Sequence, residues 1–335
     1  MKAAVLHKAG DALAIEDAPT PGAGPGEILI KVRACGVCHT DLHLISGQWN
    51  LPKLPVILGH EVVGEVVEVG RGVGNFKPGD RAGVPWIYST CGACEFCASD
   101  REPLCPSIVV TGFMVDGGYA EYLKAAASHS LQVPKELSWL DAAPLFCAGL
   151  TPYRALKISG AKVGETVAIW GIGGLGHYAV QIAKAMGTRV VAVDVAAAKL
   201  ELAKKLGAEV TVNASETKPD EAIRDFGGAH VVVCLAPAAE AILQGFAALR
   251  RGGTLVLVGL PKGNFTLPIL GTLAKGIRIL TSGVGTRQDL REVLALAVQG
   301  KIKTVAEPCR LEELNDVFDA MRQGKIAGRR VVTFS

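Results

Sequence analysis

Residues that could bind a metal ion and transfer protons are concentrated near the start of the chain. They occur in two short segments, Cys35-Gly-Val-Cys38-His39-Thr40-Asp41-Leu-His43 and Gly59-His60-Glu61-Val-Val-Gly64. Together the segments supply thiolate and imidazole ligands for a metal, with hydroxyl and carboxylate groups that can pass a proton. However, Cys35, Cys38 and His39 also form C-x-x-C-H, the covalent haem-attachment signature. The two segments alone therefore leave open a zinc enzyme and a cytochrome.

A second cysteine group has the spacing of a closed metal site. Its members are Cys91, Cys94, Cys97 and Cys105. Four thiolates within fifteen residues can complete a tetrahedron around zinc. An iron–sulfur cluster is the alternative, because bacterial ferredoxins contain C-x2-C-x2-C-x3-C-P and Pro106 follows Cys105. The longer final gap and the absence of a second such set favour a structural zinc that fixes a polar lobe.

A glycine-rich segment in the middle of the chain predicts a dinucleotide site. The apolar run Thr166–Trp170 leads directly into Gly171-Ile-Gly173-Gly174-Leu175-Gly176. In a G-x-G-x-x-G pattern between a strand and a helix, the glycines allow a tight turn and let a pyrophosphate approach the backbone closely. The N-terminus of the helix that follows attracts the phosphates. Asp194 ends the next strand, 18 residues after Gly176, where a carboxylate binds the ribose diol and repels a 2′-phosphate. With Lys199 as the nearest basic residue, the pattern predicts NAD rather than NADP.

Catalytic zinc usually has three protein ligands and one open position. Cys38, His60 and Cys147 are the natural set, with two thiolates and an imidazole. Spacing cannot show that they converge, since Cys147 lies more than a hundred residues from Cys38. A lone cysteine is also often a small buried apolar residue. From the residues alone, the set is a hypothesis.

The two halves of the chain predict different elements. The first ~150 residues are rich in Gly and Pro and contain short Val/Ile runs such as Ile28–Val32 and Val62–Val69, a β-rich pattern. From Thr151 onward, apolar, β-branched runs alternate with helix-length segments, which predicts a doubly wound parallel sheet. The runs are Thr166–Trp170, Arg189–Asp194, Glu209–Val212, His230–Leu235, Thr254–Leu260 and Ile277–Ser282. The last ~50 residues are too few for a domain and are expected to return to the first one.

Composition narrows the class of protein. The chain has 335 residues, of which 49% are hydrophobic and 20% charged, as in a two-domain globular protein. A net charge of +3, without a basic, aromatic-rich cluster, argues against nucleic acid as a partner. No secretory signal or membrane-length apolar run is found, so we expect a soluble cytoplasmic protein without a membrane partner. The nine cysteines then suit metals or free thiols better than disulfides.

In combination, these motifs resemble the zinc-dependent alcohol dehydrogenases of the medium-chain dehydrogenase/reductase family over essentially the whole chain. The matching motifs are Cys38–His43, Gly59-His60-Glu61-x2-Gly64-x5-Gly70, the cysteine quartet, Leu145-Phe-Cys147-Ala-Gly149 and the glycine fingerprint. The resemblance implies a GroES-like catalytic domain at 1–148 with its structural-zinc lobe at 91–105, a Rossmann domain at 149–284, and a return to the catalytic domain at 285–335. No long insertion follows the lobe, as in the microbial tetrameric branch, which implies a homotetramer.

The same resemblance assigns roles to individual residues. Cys38, His60 and Cys147 would bind the catalytic zinc, with Glu61 and Asp41 close behind them. Thr40 would contact the substrate oxygen, and His43 would end a proton relay. His39 and Arg329 would contact the pyrophosphate, and Thr151 and Val258 would lie along the nicotinamide. Trp49 and Trp86 would line a pocket for small primary alcohols. The implied reaction oxidises primary or secondary alcohols to aldehydes or ketones by hydride transfer to NAD+, and also runs in reverse.

Two other classes of protein are alternatives. An electron-transfer protein with haem or an iron–sulfur cluster would be coloured, whereas the dehydrogenase would be colourless with two zinc ions per chain, one catalytic and one structural. The lack of an export signal counts against haem attachment. A catalytically silent relative would have lost a metal ligand, and every expected ligand is present.

Overall fold

The computed structural model describes every residue from Met1 to Ser335, and the chain forms two compact units. The first unit contains Met1–Ala148, Thr286–Val298 and Thr304–Ser335, and the second contains Gly149–Gly285 and Gln299–Lys303. The chain therefore leaves the first unit after Ala148 and returns to it at Thr286. None of the helices combines the length and apolar character needed to cross a membrane.

Strands and short helices alternate along the chain. The strands are β1 (Lys2–Leu6), β2 (Ala14–Asp17), β3 (Glu27–Gly36), β4 (Val56–Ile57), β5 (Val62–Val69), β6 (Arg81–Val84), β7 (Ile87–Ser89), β8 (Val109–Val110), β9 (Tyr122–Ala126), β10 (Leu131–Gln132), β11 (Thr166–Trp170), β12 (Arg189–Asp194), β13 (Val210–Asn213), β14 (Ala229–Cys234), β15 (Leu249–Leu257), β16 (Arg278–Thr281), β17 (Ala306–Cys309) and β18 (Arg329–Thr333). The α-helices are α1 (His39–Ile45), α2 (Glu95–Ala98), α3 (Trp139–Ala142), α4 (Leu150–Ser159), α5 (Gly176–Ala185), α6 (Ala197–Leu206), α7 (Pro219–Asp225), α8 (Ala239–Ala248), α9 (Ile269–Lys275), α10 (Arg287–Val298) and α11 (Leu314–Arg322). Short 3-10 helices span Glu102–Leu104, Ala143–Phe146 and Leu311–Glu313.

The first unit is built around a mixed seven-stranded sheet. Its strand order is β10-β6-β5-β3-β18-β17, and β9 also pairs with β3. The ten-residue β3 is central, since it pairs with β5, β9 and β18. Ile28, Ile30 and Val32 of β3 are fully buried and belong to a core that includes side chains from β1, α1 and α11. The three-stranded sheet β2-β1-β4 and the two-stranded antiparallel sheet β7-β8 complete this unit.

The second unit contains one parallel six-stranded sheet in the order β13-β12-β11-β14-β15-β16. Every residue of β11 is buried, which explains its uninterrupted apolar sequence, because a parallel strand is covered on both faces. The strand order reverses between β11 and β14. In open α/β sheets, ligands bind at the carboxyl ends of the strands beside such a reversal.

The predicted fold class, a β-rich unit combined with a doubly wound parallel sheet, is confirmed. The bounds of β11 and β12 agree with the predicted runs, whereas β15 begins at Leu249 rather than at Thr254, because the chain continues through a register shift and two glycines. Residues 299–303 belong to the second unit, although the sequence interpretation gave all of 285–335 to the first. The Gln181 side chain holds this segment: its amide donates to Lys303 O at 2.9 Å, and its oxygen accepts from Lys303 N–H at 2.8 Å.

Candidate functional site

The end of β3 and the start of α1 position the first group of predicted site residues. β3 ends at Gly36 and α1 begins at His39, so Cys38 precedes the first turn and Asp41 lies within it. The Cys38 N–H donates to Asp41 Oδ2 at 3.1 Å, which satisfies a helix-end donor and holds the carboxylate in place. Cys38 and Asp41 are buried, whereas Thr40 is half-buried and His39 is exposed.

Three distant segments bring Cys38, His60 and Cys147 together. One ligand atom from each, and a carboxylate oxygen of Glu61, all lie within 4.8 Å of one another. The sulfurs of Cys38 and Cys147 are 4.0 Å apart, close to the edge of roughly 3.8 Å in a tetrahedron with Zn–S bonds of about 2.3 Å. All four side chains are buried. The fold thus supplies the convergence that sequence spacing could not show.

The surroundings of His60 fit a metal ligand. Both ring nitrogens are buried without a hydrogen-bond partner, and Nδ1 lies 3.3 Å from Asp41 Oδ1. Burying such a nitrogen is unfavourable unless it gains a ligand, and in metal sites the second nitrogen typically faces a carboxylate. A hydrogen bond from the Cys147 thiol lowers the pKa of the Cys38 thiol despite its burial, and the charges of His60 and Arg329 act in the same direction. Two cysteines and a histidine fit zinc.

Glu61 and Arg329 form a buried ion pair beside the three ligands. Their side chains are 0% and 4% exposed, and an Arg329 guanidinium nitrogen contacts Glu61 Oε1. Burial raises the pKa of Glu61 to about 7, against the opposing charge of Arg329. Arg329 is therefore engaged by Glu61 in this structure, and its contact with a pyrophosphate stays a prediction.

An aromatic group lies beside His60. The Trp86 ring is 4.7 Å from the His60 ring, and Trp49 packs edge-on against Trp86 at 6.4 Å between ring centroids. Trp49 also stacks on His43 at 5.6 Å, and the Nδ1 atom of His43 is 2.8 Å from Gln48 Oε1. The predicted pocket residues and the predicted relay histidine therefore share one cluster next to an imidazole of the candidate zinc site.

Two further residues at this site are missing from the sequence predictions. Phe113 completes the aromatic group, with its ring 6.3 Å from Trp49 and 6.2 Å from Trp86. Tyr119 is fully buried, and its hydroxyl donates to Asp41 Oδ2 at 2.6 Å. Both lie between β8 and β9, outside any regular element. Neither periodicity nor ligand spacing distinguishes such residues from ordinary core aromatics.

The cysteine quartet forms a second ligand group, in which the four sulfurs lie within 4.8 Å of one another. The Cys94–Cys97, Cys91–Cys105 and Cys91–Cys97 sulfurs are 3.5, 3.6 and 3.9 Å apart, which again matches a zinc tetrahedron. Backbone N–H groups of Ala93 and Cys94 lower the pKa of Cys91 to about 6. A cluster would place its thiolates on different irons, further apart. The geometry therefore favours one closed zinc site.

The lobe that carries the quartet is anchored by a carboxylate. Glu102 lies within this polar lobe, yet it is only 5% exposed. It accepts hydrogen bonds from the backbone N–H of Arg287 at 3.1 Å and from Arg287 Nε at 2.7 Å. The same guanidinium donates to Ser128 O at 2.8 Å. The lobe is thus tied to the first residue of α10.

The glycine fingerprint has the geometry of a phosphate-binding turn. Gly171 adopts a φ of +93° directly after β11, a conformation that L side chains rarely adopt. A Cβ on Gly176 would lie 2.1 Å from Gly171 O, so only glycine allows α5 to start this close to the strand. At the end of β12, Asp194 Oδ2 accepts from Ile172 N–H at 2.7 Å, which places the carboxylate beside the turn.

Three more of the predicted cofactor residues lie in this second unit, on separate elements. Thr151 is buried in the first turn of α4, Val258 follows the last residue of β15, and Lys199 is half-buried on α6. The Val258 N–H donates to Cys234 O at 3.0 Å, which fixes the backbone after the strand. Their contacts with a nicotinamide cofactor stay predictions.

Two family models match the chain. Residues 24–135 match the alcohol dehydrogenase GroES-like domain, and residues 174–299 match the zinc-binding dehydrogenase domain. The fold and the two ligand groups thus define a zinc-binding dehydrogenase with a GroES-like catalytic unit and a Rossmann unit.

Similar proteins specify the family. An alcohol dehydrogenase from Geobacillus stearothermophilus is 50% identical over 334 residues, which cover 99% of this chain and 98% of that protein. The crystal structure of the alcohol dehydrogenase from the archaeon Aeropyrum pernix has a TM-score of 0.94 at 35% identity, with 100% of both chains covered. Acetophenone reductase from Geotrichum candidum, solved in complex with NAD, has a TM-score of 0.89 at 31% identity and covers 99% of this chain and 97% of that one. The chain belongs to the zinc-dependent alcohol dehydrogenases of the medium-chain dehydrogenase/reductase family, which confirms the resemblance.

Proposed function

We propose that the protein oxidises primary alcohols to aldehydes, and secondary alcohols to ketones, with NAD+ and a catalytic zinc ion, and that it also catalyses the reverse reductions. The observation that carries this proposal is the convergence of Cys38, His60 and Cys147 beside an aromatic pocket. Three protein ligands leave a fourth position for a substrate oxygen. Relatives at about half identity over the full length are named alcohol dehydrogenases.

Zinc held by these three ligands would act as a Lewis acid that lowers the pKa of an alcohol hydroxyl. The protein's own groups would take up the proton. Thr40 lies in the first turn of α1, half-buried, and its hydroxyl can accept one proton while donating another. His43 lies three residues further along the same helix, half-buried, and presents an imidazole that can pass a proton to water.

The buried charges behind the ligands would tune this site. Asp41 faces Nδ1 of His60 and would keep the proton on that nitrogen, so that Nε2 is available to the metal. Glu61 neutralises Arg329 within the same buried region. In front of the ligands, Trp49, Trp86 and Phe113 would exclude water and favour small or slender alcohols.

Several observations support NAD as the cofactor. Gly171, Gly176 and the start of α5 form a turn that can accept a pyrophosphate. Asp194 places a carboxylate beside that turn, where it suits two ribose hydroxyls and opposes a 2′-phosphate. A related reductase of the same fold was solved with NAD.

We further propose a structural zinc ion, assembly into a homotetramer and a cytoplasmic location. The cysteine quartet would hold one structural zinc, giving two per chain. Assembly into a homotetramer is supported by the unpartnered apolar face of α9, where Ile269, Leu270 and Leu273 are 77–87% exposed. A cytoplasmic location is supported by nine free cysteines, since thiol ligands persist in a reducing compartment.

The test is an initial-rate screen of alcohols and aldehydes with NAD and NADP, with metal content and visible absorption measured on the same sample. We expect NAD-dependent turnover of small primary alcohols by a colourless protein with two zinc ions per chain. Asp194→Gly should reduce the preference for NAD over NADP about 10-fold or more with the zinc content unchanged, because the carboxylate no longer repels the 2′-phosphate.

Haem or iron–sulfur absorption, or a zinc-loaded protein without NAD-dependent turnover, would refute the proposed function. An unchanged cofactor ratio in Asp194→Gly would exclude only the role of Asp194.

A further inference from the structure

We propose that Tyr119 is a positioning residue for the catalytic zinc site, and that its hydroxyl holds the Asp41 carboxylate in the orientation that His60 requires. The proposal rests on the proposed function, since it assumes that Cys38, His60 and Cys147 bind zinc. It concerns the phenol hydroxyl and not the ring.

Backbone hydrogen bonds fix Tyr119 next to the segment that carries His60. The Tyr119 N–H donates to Leu58 O at 3.0 Å, and the Tyr119 carbonyl accepts from Ala4 N–H at 2.8 Å. The side chain is completely buried, and its ring packs edge-on against Phe318 with centroids 6.3 Å apart. The hydroxyl is therefore held by rigid surroundings.

The hydroxyl is directed at one oxygen of Asp41. Its distance to Asp41 Oδ2 is 2.6 Å, whereas the alternative acceptor, Gly36 O, is 3.4 Å away. The Tyr119 hydroxyl therefore donates its one hydrogen bond to the carboxylate. This bond is short and of the strong, charge-assisted type. The Cys38 N–H donates to the same oxygen at 3.1 Å. Two donors on different segments thus hold Oδ2.

The second carboxylate oxygen is left for the metal site. Asp41 Oδ1 has no hydrogen-bond partner of its own and lies 3.3 Å from His60 Nδ1. Turning the carboxylate would break both bonds at Oδ2, so Tyr119 limits the direction from which His60 is held. An imidazole whose Nδ1–H is fixed in this way keeps Nε2 aimed at the metal.

The surroundings make the hydroxyl hard to replace. Asp41 is 0% exposed, so water cannot take over the role of a lost donor. Tyr119→Phe retains the ring and its packing against Phe318 and removes only the short hydrogen bond. The change is therefore expected to act on the metal site more than on the fold.

The experiment compares Tyr119→Phe with Tyr88→Phe in the zinc-loaded enzyme. Tyr88 is a matched control, because its hydroxyl donates to the Glu27 carboxylate at 2.7 Å, outside the metal site. Zinc transfer to an excess of a chromogenic chelator is followed over time. The kinetic phase that is missing in Cys38→Ser is assigned to zinc at the catalytic site. We expect this phase to be about 10-fold faster in Tyr119→Phe and unchanged in Tyr88→Phe.

Two further measurements distinguish positioning from a packing role. The visible bands of the cobalt-substituted catalytic site should shift in Tyr119→Phe and not in Tyr88→Phe, because the ligand field depends on the orientation of His60. In a double-mutant cycle, Tyr119→Phe should accelerate zinc release little when Asp41→Asn is already present, because the effect passes through Asp41.

Unchanged zinc release and an unchanged cobalt spectrum in Tyr119→Phe would overturn the proposal. So would full additivity with Asp41→Asn, or a loss of thermal stability in the metal-free protein as the only effect. A wild-type protein that binds no zinc at Cys38, His60 and Cys147 would instead refute the proposed function.

Discussion

The two candidate zinc sites of this chain are assembled in opposite ways. The quartet takes its four ligands from fifteen consecutive residues and is partly exposed. The other site takes its three ligands from positions 38, 60 and 147, all buried. The quartet lies in a lobe of short helices and turns, whereas the buried site forms at the ends of core elements of the first unit.

The two sites also differ in what stabilises their thiolates. In the quartet, backbone N–H groups point at the sulfurs and lower the pKa of Cys91 to about 6. At the buried site, a hydrogen bond from Cys147 and the charges of His60 and Arg329 lower the pKa of Cys38, while Asp41 and Glu61 face His60 and Arg329. A site that organises only its own loop can rely on backbone donors. A site prepared for chemistry needs fixed charges and an open position, and these come from distant parts of the fold.

Removing a ligand from the buried site should have the largest effect. Cys38→Ser should reduce turnover by at least about 10³-fold, because several kcal/mol of Lewis-acid stabilisation are lost with the zinc. Circular dichroism and NAD binding should remain close to wild type. Cys309→Ala, which changes another buried thiol of the same unit, should retain activity. Full turnover in Cys38→Ser would exclude Cys38 as a ligand.

Removing a ligand from the quartet should have the opposite outcome, with stability reduced and activity retained. Cys97→Ser should lower the melting temperature by about 10 °C, because structural zinc contributes directly to folding free energy. Specific activity measured before heating should stay within about twofold of wild type. Calorimetry and initial rates on the same preparation test this, with the exposed lobe substitution Ala98→Ser as the control. An immediate loss of activity at an unchanged melting temperature would contradict a structural role.

Substitution of Glu102, which anchors the lobe, should have the smallest effect of the three substitutions. Glu102→Gln should lower the free energy of unfolding by about 2 kcal/mol at pH 7, because it weakens several hydrogen bonds to a charged guanidinium. Glu95→Gln is the matched control, since Glu95 is 74% exposed and its pairing with Arg101 is loose.

The effect of Glu102→Gln should also depend on pH. Burial would raise the pKa of Glu102, but the hydrogen bonds from Arg287 outweigh it and keep the pKa below its usual 4.5. A lowered pKa stabilises the fold above pH 4.5 and loses this contribution as the pH falls through the folded-state value. Denaturant titrations should therefore show the difference between wild type and Glu102→Gln shrinking below pH 4.5. A difference that stays constant into acid would mean that the ion pair is not its cause.

Local features of both units could be predicted from the sequence. β11 and β12 are buried parallel strands whose apolar runs end where the strands end, and the Gly171–Gly176 turn follows from the requirement for glycine at a close approach. The quartet is likewise a short-range pattern. In each case the residues that define the feature are neighbours in sequence, so spacing alone carries the information.

Features that depend on long-range packing could not be predicted in this way. The convergence of Cys38 with Cys147 was implied only by resemblance to a family. Glu102 looks like a solvated lobe residue until Arg287, 185 positions later, is placed against it. Tyr119 and Phe113 look like ordinary aromatic core residues, because a hydroxyl aimed at a carboxylate leaves no periodic signal in the sequence.

The position of β18 has a consequence for the synthesis of the chain. This strand comprises Arg329–Thr333, yet it lies inside the seven-stranded sheet, between β3 and β17. Until residues 329–333 have been synthesised, β3 lacks one of its neighbours and Glu61 lacks its guanidinium partner. The second unit has all of its residues by position 303. The first unit therefore receives this strand only after the second unit has all of its residues, and a chain without Arg329–Thr333 would have an open sheet edge next to the candidate zinc ligands.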